Sequence, residues 1–340
     1  MEVSRHAGPD DRRGTGRNGG KLRNDSRPAP PGDASLTAIA ESARSLPASG
    51  RDLSRLSQSE AVRGFALISP PLLYALVLLA APIAVVIVHS FWTQNYLTID
   101  RSLTLEQYRV ALTEPIYREL LLRSLYVSLT VSIATVVLAY PIAYYISFHG
   151  GRHKMLWLFL INIPFCTSYL LRVMSWKVIL GYNGVLNSGL IGLGIIDEPL
   201  TSLLYNTNAV IIALTHSWAP FAILPIYVSL EKLNRTLLEA ATDLGDGPIR
   251  RFMRVTLPLT LPGVLSALII VMIPTVGDYI TPKLVGGKDG VMIANAIQSQ
   301  FGKAANWPLG AALSVTTMIV VTAMAGAVAL IIRGAVRLAR

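Results

Sequence analysis

The chain alternates long apolar stretches with short polar segments. Six stretches lack Lys, Arg, Asp and Glu, and they lie between Arg63 and Asp100, Arg123 and Arg152, Lys154 and Arg172, Glu198 and Glu231, Arg254 and Asp278, and Lys303 and Arg333. A helix needs about 20 apolar residues to cross the hydrocarbon core, where only helices and closed barrels satisfy their backbone groups. The pattern predicts an all-α membrane protein with six transmembrane helices, near residues 66–91, 124–148, 155–180, 209–230, 257–283 and 310–332.

The composition and the distribution of basic residues refine this prediction. Of 340 residues, 52% are hydrophobic and 15% are charged, which excludes an ordinary soluble domain. Lys and Arg concentrate in the short cytoplasmic loops of membrane proteins. A cytoplasmic N-terminus places on the inner side the N-terminal tail, Arg152, Lys154, the basic residues of segment 231–258, and Arg333, Arg337 and Arg340. Both termini are therefore predicted to be cytoplasmic.

The first outer loop carries basic residues that run against this orientation. They are Arg101, Arg109, Arg118 and Arg123, and the acidic residues Asp100, Glu106, Glu114 and Glu119 accompany them. Mixed charges of this kind are typical of a solvated helix face. The loop is therefore predicted to hold an amphipathic helix on the membrane surface.

Residues 1–62 differ in composition from the membrane region 63–340. They are rich in Gly, Pro, Ser and Arg, which predicts a disordered basic cytoplasmic tail. Two interpretations stay open for this tail, a weak attraction to anionic membrane lipid and no function at all. The net charge of +10 reflects this tail and the basic inner loops, so no nucleic-acid partner is expected.

Cys166 is the single cysteine, which excludes an intrachain disulfide and a multi-cysteine metal site. It is expected to be a small packing residue, and no cofactor or metal is expected.

Segment 231–258 has the local signals of a helical elbow. Asn234 is a candidate N-cap, and Gly245 is placed to end the first helix in a left-handed turn. One side of that helix carries Leu237, Leu238, Ala241 and Leu244. Pro248 is expected to begin a second helix and Pro258 to mark the start of the fifth span. Ala240 and Ala241 would let a partner approach closely, and Glu239 offers it a carboxylate.

The same segment resembles the cytoplasmic loop of ABC importer permeases. It reads Glu239-Ala240-Ala241, three residues, Gly245, nine residues, Val255 in place of the usual Ile, one residue, and Leu257-Pro258. The resemblance implies a type I importer permease in a bacterial inner membrane, with residues 231–258 as the coupling loop of a permease domain 63–340. It implies ATPase-coupling roles for Glu239, Ala240, Ala241, Gly245 and Pro258. It also implies two separate ATP-binding subunits, a second permease subunit and an extracytoplasmic solute-binding protein, so that this chain is not itself an enzyme.

Charged residues at membrane depth are candidates for the transport path. Asp278 is expected near the outer end of the fifth span, and Arg172 and Lys177 at a similar height in the third. Asp278 could form an ion pair with one of these bases. Alternatively it could admit a cation, aided by three aromatic residues, Tyr279, Tyr169 and Trp176. His216 is expected to be a packed or hydrogen-bonded core residue.

Several motifs are similar to spermidine/putrescine permeases. They include Ile163-Pro164-Phe165-Cys166-Thr167-Ser168, Gly277-Asp278-Tyr279-Ile280-Thr281-Pro282, Met292-Ile293-Ala294-Asn295 and Trp307-Pro308-Leu309-Gly310. Cys166 stands where those permeases usually carry Trp. The resemblance implies a polyamine cargo, with an opine-like compound or an amino acid derivative as alternatives. An ion- or proton-coupled secondary transporter, with Asp278 as the relay, is the alternative class, and a membrane enzyme has the least support.

Overall fold

The computed structural model describes the backbone of residues 52–95 and 98–338, and the side chains of residues 64, 67–94 and 98–334. Contacts divide the chain into two units, Met1–Tyr74 and Ala75–Arg340. The described part of the first unit belongs to helix α1, Asp52–His89. Residues 52–62, predicted to be disordered, are helical because no Gly or Pro interrupts them. The preceding part of the predicted tail, residues 1–51, lies outside the described residues.

The second unit is built almost entirely of helices. After α1 come strands β1 (Thr93–Asn95) and β2 (Thr98–Asp100), then α2 (Glu106–Thr113), α3 (Pro115–His149), α4 (Lys154–Asn162), α5 (Tyr169–Ile179), α6 (Val185–Gly192), α7 (Thr207–Glu231), α8 (Arg235–Asp243), α9 (Pro248–Arg251), α10 (Leu257–Val276), α11 (Ile293–Phe301) and α12 (Trp307–Leu338). Short 3₁₀ turns occupy Gly151–His153, Ile163–Cys166 and Thr201–Leu203, and π turns occupy Phe252–Thr256 and Pro282–Gly286. The two strands form a small antiparallel hairpin in which Gln94 faces Ile99.

Among the described residues, five helices are long and apolar enough to cross a membrane. They are Leu67–His89, Pro115–His149, Thr207–Glu231, Pro248–Val276 and Trp307–Gly334. The third predicted span, 155–180, is instead two pieces, Gly151–Cys166 and Tyr169–Ile179, bent by 85°. If the two pieces are counted as one span, the total is six, as predicted, but the third span is broken rather than one helix over 155–180.

The break in the third span has a local cause. Pro164 has no backbone N–H, and Thr167 and Ser168 are extended, with ψ of 157° and 135°. The break frees carbonyl groups, and the Arg172 guanidinium donates hydrogen bonds to those of Phe165 at 3.0 Å and Thr167 at 3.2 Å. Arg172 therefore stabilises the bend from the first turn of α5.

The fifth span also differs from its predicted bounds of 257–283. A continuous helical segment begins at Pro248, passes through the π turn and ends at Val276. Pro258 is the second residue of α10, close to the predicted start, but the helical segment extends back beyond it to Pro248. The wider π turn directly precedes Pro258, which has no N–H to bond a carbonyl one turn earlier. Asp278 follows the end of the helix, in a non-helical stretch.

Helices α3, α7 and α10 pack together and form the main core. Small residues permit the close approach. At Gly263 on α10, a Cβ atom would lie 2.7 Å from the carbonyl oxygen of Pro225 on α7, and closer still to Ser229. The apolar window of α1, in contrast, has 0% of its residues buried within the chain. Apolar side chains that remain exposed on a membrane helix are suited to lipid or to another subunit.

The outer loop contains the predicted amphipathic helix, α2. The Arg109 side chain lies 2.5 Å from a carboxylate oxygen of Glu106, and Arg123 lies 2.5 Å from Glu119. The hydrogen bond from Arg109 lowers the pKa of the Glu106 carboxyl below its usual value. The acidic residues therefore pair with two of the arginines that opposed the predicted orientation.

Candidate functional site

The loop between α7 and α10 folds into the predicted elbow. The Asn234 side chain accepts a hydrogen bond from the Thr236 amide at 3.1 Å, which confirms the N-cap of α8. Gly245 has φ of +85°. Its amide donates to the Thr242 carbonyl at 2.9 Å, and the Asp246 amide donates to the Ala241 carbonyl at 3.0 Å. This pair of bonds is the Schellman motif, and it confirms the predicted left-handed end of the helix.

Side chains connect the two arms of the elbow. Arg251 on α9 donates from Nη1 to the Thr242 hydroxyl on α8 at 2.9 Å. The Asp246 carboxylate lies 3.9 Å from Nε of Arg250 and 3.7 Å from Nη1 of Arg254. Pro248 is at the start of α9, as predicted. The elbow is therefore a defined structure whose two short helices are held at a fixed angle.

The apolar residues of α8 divide between two faces. Leu238 and Ala241 are buried within the chain, whereas Leu237 and Leu244 are 47% and 87% exposed. The expectation that Ala241 faces a partner is wrong, because its small side chain allows α8 to pack on its own chain. Ala240 is exposed and shares a face with Leu237 and Leu244, at helical spacings of three, four and seven residues. Sequence reasoning missed this exposed apolar face because it placed Leu237, Leu238, Ala241 and Leu244 on a single side of the helix.

Glu239 and Gly245 are also exposed, next to this apolar face. The Glu239 side chain lines a groove of about 390 Å³ with Phe148, Arg235 and Arg251 among its other lining residues. An apolar face beside a carboxylate and a groove is a surface to which another protein can bind by burial and charge. The structure thus brings Glu239, Ala240 and Gly245 to one exposed surface, while Ala241 and Pro258 lie beneath or beyond it.

The second candidate site surrounds Asp278. Its Oδ2 accepts a hydrogen bond from the Tyr169 hydroxyl at 2.5 Å, and that hydroxyl also lies 2.6 Å from the hydroxyl of buried Thr281. Asp278 Oδ1 accepts from the Ile280 amide at 2.9 Å. The third and fifth spans therefore meet through Tyr169 and Asp278. Thr281 was missed by sequence reasoning, although it lies in the motif that contains Asp278.

Asp278 makes no ion pair among the residues that the structure describes. Of the two alternatives that the sequence left open for Asp278, the ion pair with Arg172 or Lys177 does not form among these residues. The Arg172 guanidinium lies 4.4 Å from the Phe165 ring centre, and Lys177 Nζ lies 5.8 Å from that of Tyr205. The expected height of Arg172 and Lys177 came from helical rise along the span 155–180, which is broken by an 85° bend. Within the described residues, neutral donors alone bind the Asp278 carboxylate.

Trp176 and His216 form a neighbouring aromatic cluster with Phe165. Trp176 donates to Nδ1 of His216 at 3.2 Å, and His216 stacks on Phe165 at 5.6 Å. His216 is therefore hydrogen-bonded as expected, but it is exposed rather than part of the core. The Tyr279 ring is 40% exposed.

Cys166 lies at the bend of the third span and is exposed, so the prediction of a packing residue is wrong. The 3₁₀ turn that ends at Cys166 turns its side chain outward, and Sγ lies 3.7 Å from the Asn162 carbonyl oxygen. The single cysteine therefore marks the break between α4 and α5 at an accessible position.

Comparisons with known proteins agree with this architecture. The family described as "Binding-protein-dependent transport system inner membrane component" matches residues 114–338. The spermidine/putrescine transport system permease protein PotB of Escherichia coli (strain K12) is 40% identical over 221 residues, which cover 65% of this chain and 80% of PotB. The inner membrane ABC transporter permease protein YdcU of the same organism is 31% identical over 272 residues, covering 76% of this chain and 86% of YdcU.

The fold has a solved counterpart. A chain of a bacterial alginate ABC transporter, crystallised with a periplasmic protein bound to alginate pentasaccharide, superposes with a TM-score of 0.61. The two chains are 16% identical, and the match covers 78% of this chain and 92% of the other. At that identity the likeness concerns the fold alone. Together with the match over residues 114–338, it shows that this chain is a multi-pass inner-membrane protein of the binding-protein-dependent transport family, the permeases of ABC importers.

Proposed function

We propose that this chain is one of two permease subunits in an importer that carries a polyamine, such as spermidine or putrescine, into the cell. Two separate subunits hydrolyse ATP, and an extracytoplasmic binding protein delivers the cargo. The observation that carries the proposal is the 40% identity to PotB over 80% of that relative. The chain itself contributes the transport path and the elbow.

The exposed surface of the elbow is the docking site of an ATP-binding subunit in this proposal. Leu237, Ala240 and Leu244 supply an apolar face, and Glu239 supplies a carboxylate for a basic partner residue. Gly245 and Pro258 contribute through the backbone, Gly245 by ending α8 and Pro258 by following the π turn. Ala241 contributes by fixing α8 against the chain. Movement of the docked subunit is then transmitted to the membrane helices.

Co-purification tests this class of function. The chain, expressed with its neighbouring genes, is expected to co-purify with an ATP-binding subunit and a second permease. Glu239→Lys is expected to weaken that complex, because it reverses the charge of the docking surface, while Asp197→Lys, in an exposed loop outside the elbow, serves as the charge-matched control. A transporter that takes up solute without any ATP-binding subunit would instead be a secondary carrier and would contradict the proposal.

Asp278 is proposed as the residue that attracts the cationic cargo, with Tyr169, Tyr279 and Trp176 as aromatic neighbours. Its carboxylate has no cationic partner among the described residues, so its charge is available to an ammonium group. Arg172 contributes indirectly, by holding the bend beside Tyr169.

Uptake of radiolabelled spermidine and putrescine tests the cargo. Asp278→Asn keeps the size of the side chain and removes its charge. Uptake at low cargo concentration is therefore expected to fall at least about tenfold, because losing one charged hydrogen bond costs about 1.4 kcal/mol of binding free energy. The control is Asp197→Asn, an exposed loop residue outside the path. Normal spermidine uptake by Asp278→Asn would contradict the cationic site. Uptake of an opine or an amino acid instead would leave the proposal of an ABC importer intact and would contradict the polyamine cargo.

A further inference from the structure

A partly exposed polar junction lies where the elbow joins the membrane helices. Glu231 is the last residue of α7, three positions before the Asn234 cap of α8. Its Oε1 accepts a hydrogen bond from the Ser147 hydroxyl at 2.8 Å and contacts Lys154 Nζ at 2.5 Å. Ser147 is in the last turn of α3, and Lys154 is the first residue of α4. One carboxylate therefore binds the ends of two other helices.

The residue on the far side of the same turn contacts α3 as well. Arg235 donates to the Ser147 carbonyl at 3.4 Å, and its guanidinium lies 5.7 Å from the Phe148 ring centre. The side chains of Lys154 and Glu231 are 20% and 35% exposed, so solvent screens their attraction only in part. The turn from α7 to α8 is therefore held on both sides by the neighbouring helix ends.

The junction is connected to the break in the third span. Lys154 lies near the start of the helical piece Gly151–Cys166, which from Lys154 to Cys166 forms a rod with a rise of about 18 Å. At the far end of the rod, the carbonyls of Phe165 and Thr167 bind Arg172, and Tyr169 binds Asp278. A continuous chain of contacts therefore connects the elbow to the proposed cargo site.

We propose that Glu231 is a positioning residue that transmits movement of the elbow, through Lys154, to the first half of the broken third span. The proposal rests on the coupling role of the elbow described above. Glu231 contacts neither cargo nor nucleotide in this scheme. It joins the elbow to the rod, so that binding of ATP at the docked subunit changes the environment of the break.

Cys166 provides a native reporter, because it is the single cysteine of the chain and is exposed at the break. The experiment uses the whole complex in liposomes, with the binding protein loaded with spermidine. Maleimide labelling of Cys166, quantified by peptide mass spectrometry, is compared between the nucleotide-free complex and the complex trapped with ATP and vanadate. The labelling rate of the unmodified complex is expected to differ at least about fivefold between the two states. Fivefold is the lower end of the typical effect that one coupled site has on another.

Glu231→Gln and Lys154→Met are each expected to reduce this difference to less than about twofold, because each breaks the same link. The double variant is expected to equal the single variants, and Lys154→Arg to restore the difference. Arg152→Met is the matched control, since it removes a positive charge from the same loop without touching Glu231. If Cys166 is unreactive in both states, the comparison is repeated with Thr167→Cys.

Two results would overturn the proposal. One is a full state-dependent difference in Glu231→Gln, and the other is an additive double variant. The amount of trapped nucleotide, measured in the same samples, separates this inference from the proposed function. Absence of trapped nucleotide in the unmodified complex contradicts the proposed function, whereas trapped nucleotide with equal labelling in both states contradicts the junction alone.

Discussion

Replacement of Gly245 by alanine tests whether the shape of the elbow matters to coupling. Gly245 has φ of +85°, a conformation that costs any residue with a Cβ roughly 1–2 kcal/mol. A Cβ atom at this position would meet no atom within 4 Å, so the backbone alone bears the strain. That strain reduces the population of the formed elbow relative to its open forms by a factor of about 5–30. The affinity of the ATP-binding subunit is expected to fall by up to the same factor, because only the formed elbow binds.

The assay is titration of the purified ATP-binding subunit onto the permeases in nanodiscs, together with uptake per ATP hydrolysed in liposomes. Gly247→Ala is the matched control, because Gly247 also has open space around it but has φ of −67°, which any residue adopts. Gly245→Asn is expected to give an intermediate loss, since Asn tolerates the left-handed region better than Ala. Gly245→Trp adds bulk to the strain and is expected to abolish coupling while membrane insertion persists. Equal affinities for Gly245→Ala and Gly247→Ala would refute the reasoning.

Three further predictions concern the packing of the helices and the elbow. Gly263→Ala is expected to destabilise the protein by about 1–3 kcal/mol, because its Cβ would lie 2.7 Å from the Pro225 carbonyl oxygen. Thermal unfolding in detergent checks this, with Gly189→Ala in α6, where nothing lies within 4 Å, as the control that should be no less stable than the unmodified protein. Asn234→Ala removes the cap of α8 at a cost of about 1 kcal/mol, and faster amide exchange confined to residues 235–243 would report it, whereas unchanged exchange would count against the cap. Arg172→Met leaves the carbonyls of Phe165 and Thr167 without their donor, so Cys166 is expected to react faster with maleimide, while Lys177→Met should leave its rate unchanged. An unaltered Cys166 rate in Arg172→Met would contradict the stabilising role of Arg172.

The sequence by itself determined the features that depend on neighbours along the chain. Apolar stretches of sufficient length predicted the spans, because the hydrocarbon thickness sets a minimum length for every membrane-crossing helix. Asn234, Gly245 and Pro248 predicted the start, end and restart of the elbow helices, because caps and turns are decided within a few residues. The spacing from Glu239 to Pro258 also predicted the family, which the match over residues 114–338 confirms.

Only the tertiary structure decided the features that depend on distant contacts. The 85° bend lies within the predicted span 155–180, where Arg172 folds back on the carbonyls that the break frees. The bend then directed Tyr169 rather than a basic residue to Asp278. Likewise, the division of α8 into a buried face with Ala241 and an exposed face with Leu244 depends on the helices that it packs against. A periodic pattern reports that a helix has an apolar side, whereas the surrounding elements determine how much of that side is covered.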